Sequence, residues 1–290
     1  MTRLLALIAA LVLSACAHVA PSSDAALQVR AMTYNIRLDL ASDGANAWPY
    51  RKDMVAALIR HEAPDLLGMQ EVVLNQKRDL EAALPGYAMA GVGRDDGKDA
   101  GEFSPLAWRR DRFELIRSGT FWLSPTPDRP GKGWDAAYPR IATWAELRDL
   151  RTGNVIRVLN THFDHVGEVA RANSAAMIAE WVESGPGAGS PTVVMGDFNA
   201  MPDSEPYRRL ADTAASGLVD TRTISRAPPY GPPGTFNAFD ISSNAAAPID
   251  HLFVTGGFAV DGYAVITQHW GGRLPSDHYP VLVVLLPARQ

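Results

Sequence analysis

The sequence has 290 residues, 47% of them hydrophobic and 20% charged, with a formal net charge of −5. Its one cysteine, Cys16, excludes an intramolecular disulfide framework and any zinc site built from thiolates. The mild acidity gives no electrostatic footprint of a dedicated polyanion binder, and the composition is globular rather than disordered or collagenous.

The amino terminus reads apart from the fold. Arg3 precedes an unbroken apolar run over residues 4–13. That run is shorter than the roughly 20 residues of a membrane-spanning helix and suits the hydrophobic region of a secretory signal. Leu13-Ser14-Ala15-Cys16 resembles the bacterial lipoprotein box, which implies cleavage before Cys16 and a diacylglycerol on its thiol. By the same resemblance, Ala17 after the cysteine favours the outer membrane. The expected organisation is a signal peptide over 1–15, a lipid-anchored tether over 16–26 and one folded domain over 27–290.

Along that domain, β-rich runs alternate with helical patterns. Strands are expected over 29–34, 65–69, 106–109, 141–147, 155–160, 192–195, 249–254, 263–267 and 280–286. Residues 51–60 place Met54, Val55, Leu58 and Ile59 on one helical stripe, with Pro64 beyond its end. Residues 168–183 repeat the pattern with Val169, Ala172, Ala176, Ala179 and Val182. Glycine-, proline- and aspartate-rich segments over 91–101, 124–139 and 227–248 read as long loops over one edge. No internal repeat appears, so the expected class is α+β, with mostly antiparallel sheets and helices outside.

Polar residues recur where the apolar runs stop. Strand ends lead into Asn35, into Gln70-Glu71, into Thr161-His162-Phe163-Asp164-His165 and into Gly196-Asp197-Phe198-Asn199. Asp250 and Asp277-His278 stand instead just before strands. In an antiparallel sheet the end of one strand and the start of its neighbour share a rim, so all six clusters can converge there. Half-desolvated carboxylates gathered this way repel one another unless a cation sits among them. Asn35, Glu71 and Asp277 offer hard oxygens suited to Mg²⁺, with Mn²⁺ as the alternative. Asp197 is placed to polarise water, Asn199 to orient it, Asp250 to hold His278 in one tautomer, and His162 to donate to a phosphoryl oxygen. These groups suit metal-assisted phosphoester hydrolysis.

Together, Thr33-Tyr34-Asn35, Gln70-Glu71, Thr161-His162, Gly196-Asp197-Phe198-Asn199, Ile249-Asp250-His251 and Ser276-Asp277-His278 resemble the endonuclease/exonuclease/phosphatase superfamily. The resemblance implies the DNase I-like fold, a four-layer α/β/β/α sandwich. It implies metal-site roles for Asn35, Glu71 and Asp277, a nucleophile served by Asp197 and Asn199, and phosphate contacts from His162 and His278, with Asp250 orienting His278. All six segments keep the pattern in order, and they span nearly all of the chain after the tether.

Weaker assignments complete the reading. Arg140, between a loop and a strand, is placed to reach a phosphate. Asp164, His165 and Phe236 are candidate substrate contacts. The cluster His162-Phe163-Asp164-His165 resembles part of the metallo-β-lactamase motif, but Asn160 stands where that motif needs a histidine. Expected partners are a phosphoester, small-molecule or lipid-derived, and the outer membrane through the anchor. The chain is expected to be monomeric. A secreted nuclease acting on DNA or RNA is the main alternative, and a non-catalytic binding lipoprotein is another.

Overall fold

A computed structural model describes residues 27–243 and 245–287, so the expected signal segment, Cys16 and the tether lie outside the described residues. The strands are β1 (Val29–Asn35), β2 (Leu66–Gln70), β3 (Tyr87–Ala90), β4 (Leu106–Arg109), β5 (Phe113–Trp122) and β6 (Ile141–Asp149). They continue with β7 (Val155–His162), β8 (Thr192–Asp197), β9 (Val219–Asp220), β10 (Asp250–Val254), β11 (Phe258–Val265) and β12 (Val281–Pro287). The longer helices are α1 (Lys52–Glu62), α2 (Leu74–Ala83), α3 (Glu168–Ser184) and α4 (Glu205–Leu210).

One sheet runs β11-β12-β1-β2-β4-β3 and the other β5-β6-β7-β8-β10-β9. Each has a parallel pair near its centre, β1–β2 and β7–β8, flanked by antiparallel partners. Between the sheets lie Ala31, Leu66, Leu147, Val158, Val193, Met195, Leu252 and Val283. The outer face of the first sheet packs on α1 and α2 through Val55, Leu58, Ile59 and Leu80. The outer face of the second packs on α3 and α4 through Ala175, Ile178, Trp181 and Leu210. This is the expected four-layer sandwich.

The period of two along each strand explains where the fold becomes polar. Ala31 faces the opposite sheet, and Thr33 and Asn35 follow on the same side. The same column reads Ile156, Val158, Asn160, His162 in β7; Val193, Met195, Asp197 in β8; and Val254, Leu252, Asp250 in β10. Every column is apolar at one end of the sandwich and carries an amide, imidazole or carboxylate at the other.

Just inside that polar end, Gln70 Nε2 donates to Thr33 Oγ1 (3.0 Å) and Asn160 Oδ1 (2.6 Å). Asn160 Nδ2 donates in turn to the Met69 and Pro105 carbonyls, at 2.7 and 2.9 Å. These buried amides stitch the sheets together, and their crossing demands Gly68. A Cβ there would lie 2.6 Å from Asn160 Oδ1 and 2.7 Å from Met195 Sδ.

The structure corrects several expectations. α3 buries Ala172 and Val182 of the expected stripe, but with them Ala170, Ser174, Ala175, Ile178 and Trp181, whereas Val169 is exposed. Small residues all round that helix blur its apolar face. β5 lay in no expected run because it is an edge strand with an exposed middle, and a bulge falls between Leu115 and Arg117. α2 carries only two buried residues, Gln76 and Leu80, too few to show a stripe.

Candidate active site

Asp197 ends β8 in register with His162 of β7 on one side and Asp250 of β10 on the other. From the opposite sheet, Asn35 Nδ2 donates to Asp197 Oδ2 and to Glu71 Oε1, each at 3.0 Å. Two turns in the left-handed region complete this centre. Glu71 (φ 60°) leaves β2 so that its carboxylate meets Asn35 and also accepts from the Leu38 N–H at 3.2 Å. Asn199 (φ 45°) folds its own N–H back onto Asp197 Oδ1 at 2.9 Å. Such backbone costs about 1–3 kcal/mol per residue and persists where surrounding contacts over-determine it.

The loop before β12 supplies the other wall. Ser276 Oγ donates to the Asn35 carbonyl at 2.7 Å, and Asp277 accepts the Asn237 and Ala238 N–H groups on its own carbonyl. His278 Nδ1 pairs with Asp250 Oδ2 at 2.9 Å, leaving Nε2 directed to Asp197 Oδ2 at 3.8 Å. The sequence-predicted residues Asn35, Glu71, His162, Asp197, Asn199, Asp250 and His278 are thus brought together, with Asp277 beside them.

Burial sets the electrostatics. It raises the Asp197 carboxyl well above the usual range, and the neighbouring Asp250 adds to that, against His278, the Asn199 N–H and Asn35. Burial would push His278 down, but Asp250, Asp197 and Asp277 outweigh it and hold the imidazole charged. His162 is driven the other way: burial, then Arg140 and Arg94, push it well below its ordinary value. It is therefore neutral, and its tautomer follows. Asn199 Nδ2 donates to the Phe163 carbonyl at 3.1 Å, which fixes the amide and turns the other N–H onto His162 Nε2 at 3.2 Å. Nε2 accepts, so Nδ1 carries the proton.

Three participants are missing from the sequence-based set. Arg37 reaches Glu71 (3.9 Å) and Asp277 (3.7 Å) while its fork holds Asp43. Glu102 lies 3.8 Å from His162 Nδ1 and pairs with Arg94 Nη2 at 2.7 Å. Burial raises the Glu102 carboxyl, and Arg94 opposes the rise. Glu102 and Arg94 belong to a glycine-rich loop without periodicity, whereas Arg37 follows Asn35 closely enough to have been found.

The weaker assignments separate. Arg140 is buried and gives Nε to Asp164 (3.2 Å) and Nη2 to His165 Nδ1 (3.1 Å). Asp164 anchors the loop around it. Its oxygens accept the N–H groups of Ala137, Tyr138, Val166 and Gly167, and these with Arg140 outweigh burial and hold the carboxyl low. His165 is exposed and stacks on Tyr138, and neither it nor Asp164 belongs to the carboxylate–histidine cluster. This separation removes the metallo-β-lactamase-like reading. Phe236 is 43% exposed and sets its edge on the His278 ring at 5.1 Å.

A model of the Endonuclease/Exonuclease/phosphatase family matches residues 32–278. The chain belongs to that family. Members of the family are hydrolases acting on phosphoesters, typically dependent on a divalent metal. An endonuclease/exonuclease/phosphatase family protein of Bacteroides thetaiotaomicron is 38% identical, over 90% of this chain and 95% of its own, with a TM-score of 0.86. A mannosyl-6-phosphatase of the same organism is also 38% identical, over 89% of this chain and 99% of its own, with a TM-score of 0.83. Nocturnin of Xenopus laevis is 24% identical over 87% of this chain and 69% of its own length. The chain spans 27% and 59% of the first two curated relatives it matches.

The family's metal dependence fits the side chains present. Asp197, Asp250 and His278 each bring a ligand atom within 4.8 Å of the others. Glu71, Asn35 and Asp277 add hard oxygens, and burial raises the Asp277 carboxyl as it does that of Asp197. Such crowding of buried acid oxygens favours a divalent cation.

Proposed function

We propose that this family member is a Mg²⁺-dependent hydrolase of small-molecule phosphoesters, with Asp197 as general base. The observation that carries the reading is Asp197 itself, a buried carboxylate with a raised pKa between Asn35 and the cationic His278. His278 Nδ1 is already taken by Asp250 at 2.9 Å, which favours a proton-handling role for that pair. A cation is then best held by Asn35, Glu71 and Asp277, where it would neutralise charge on the phosphoryl group.

In hydrolysis Asp197 accepts a proton from water as the water oxygen bonds to phosphorus. The ester P–O bond breaks, and the leaving oxygen takes a proton from solvent. His278 contributes a charged N–H to the developing phosphoryl charge, while His162, accepting from Asn199 on Nε2, holds that amide beside Asp197.

Substrate size follows from charge and topology. Arg37, Arg94 and Arg140 are each engaged by a carboxylate, which leaves little for a nucleic-acid backbone. The mannosyl-6-phosphatase likeness points the same way. At the far end of β1, Arg112 holds the Leu27 and Gln28 carbonyls, so a tether from Cys16 joins opposite the polar rim. Export and lipidation at Cys16 would therefore hold the enzyme with this rim directed away from its anchor, suiting a soluble substrate.

The test is a panel of phosphomonoesters, phosphodiesters, nucleic acids and phospholipids, each with Mg²⁺, Mn²⁺, Zn²⁺ or EDTA. Turnover of a small phosphoester with Mg²⁺, abolished by EDTA, is expected. Activity on nucleic acid alone establishes the nuclease reading instead, and turnover of none defeats the assignment. Cys16→Ser should move the protein out of the membrane fraction; an unchanged distribution refutes the anchor.

A further inference from the structure

The chain between β1 and α1 builds a second recess beside the rim. It contains two short 3₁₀ turns, Ala41–Asn46 and Trp48–Tyr50, and Gly44 (φ 57°, ψ −117°) breaks the first in a conformation reserved for glycine. Arg51, fully buried, locks this segment by donating to the carbonyls of Asn46 (2.8 Å), Leu38 (3.2 Å) and Pro275 (3.3 Å). Its guanidinium also lies 5.2 Å from the Trp48 ring centre. From the loop preceding Asp277, Arg273 Nη2 donates to Ala45 O (2.8 Å) and Tyr50 O (3.3 Å).

These locks hold open a cleft of about 990 Å³ whose walls include Asp39, Ala45, Pro49, Tyr50 and Arg273. Arg37 ties this segment to the proposed metal and phosphate centre, its fork on Asp43 and its other nitrogen 3.9 Å from Glu71 and 3.7 Å from Asp277. Tyr50 is 64% exposed although its backbone is pinned. Asn75 Nδ2 fixes one Asp39 oxygen at 2.8 Å, leaving the other for a ligand.

We propose that this cleft binds the organic half of the substrate, a hydroxylated sugar-type ring carrying the phosphate. The inference rests on the phosphoester hydrolase reading above. Tyr50 packs on the apolar face of the ring while Asp39 accepts, and Arg273 donates to, its hydroxyls. The opposed charges of Asp39 and Arg273 suit a neutral polyhydroxylated group and disfavour a second phosphate. A single exposed aromatic on a preformed wall suits a pyranose better than a sandwiched nucleobase.

The test compares a hexose 6-phosphate with ethyl phosphate, which has no ring. Tyr50→Ala and Asp39→Asn are each expected to raise KM for the hexose phosphate about tenfold, with kcat unchanged. KM for ethyl phosphate and inhibition by inorganic phosphate should stay constant. Independently of turnover, calorimetry on Asp197→Asn protein should show hexose phosphate binding that Tyr50→Ala weakens by a similar factor. Equal effects on both substrates, or binding indifferent to Tyr50 and Asp39, overturn the proposal. Tighter, Tyr50-dependent binding of a nucleoside monophosphate overturns the sugar assignment. If no phosphoester is turned over while Tyr50-dependent hexose phosphate binding persists, the hydrolase reading fails and the cleft assignment stands.

Discussion

His278 and His162 flank the same carboxylate, their Nε2 atoms 3.8 and 3.6 Å from Asp197 Oδ2, and both are buried. They nevertheless carry opposite charge states. Burial lowers both, but three carboxylates face His278, whereas Arg140 and Arg94 face His162. Distance to the general base therefore does not decide what a histidine does in this centre. The next layer of charge decides it, making one imidazole a cation for phosphoryl charge and the other a neutral acceptor that holds Asn199.

Substitution should expose the asymmetry in order of size. Asp197→Asn removes the base both histidines serve and should lower kcat by about 10³-fold or more, measured with saturating substrate and Mg²⁺. His278→Gln replaces a charged donor with a neutral one and should cost about 10²-fold. His162→Gln keeps a neutral amide in place of a neutral imidazole, so the loss should stay within about tenfold. Equal losses at the two histidines would erase the distinction.

The pH profile sharpens the same comparison. Asp197 must be deprotonated, so its raised pKa makes activity climb as pH rises through that value. His278 must stay protonated, so its raised pKa preserves activity to high pH and loses it only as pH rises through that value. Asp250→Asn withdraws the charge that supports both shifts. Both limbs should move to lower pH, with kcat reduced about 10–100-fold; limbs that do not move would separate Asp250 from this role.

Much of this centre was legible because it lies on strand columns. Asn35, His162, Asp197 and Asp250 continue apolar columns by the period of two, the first three ending a recognisable run and Asp250 opening one. Glu71 and Asn199 could be listed from sequence, but not the left-handed turns that aim them. Arg94 and Glu102 were invisible because a glycine-rich loop carries no periodic signal, and their role exists only through contact with His162 and each other. Asp164 shows that closeness in sequence says little of contacts: beside His162 in the chain, it spends its oxygens on loop N–H groups. Among helices, α3 is legible but its buried face only in part, since small residues on several sides of it leave no sharp apolar stripe.

The most direct test of the two-histidine account is nitrogen-resolved NMR of the imidazoles in metal-free protein near pH 8. The account predicts His278 as imidazolium and His162 neutral with its proton on Nδ1, and Asp250→Asn should convert only His278. A neutral His278, or a charged or Nε2-protonated His162, would contradict it.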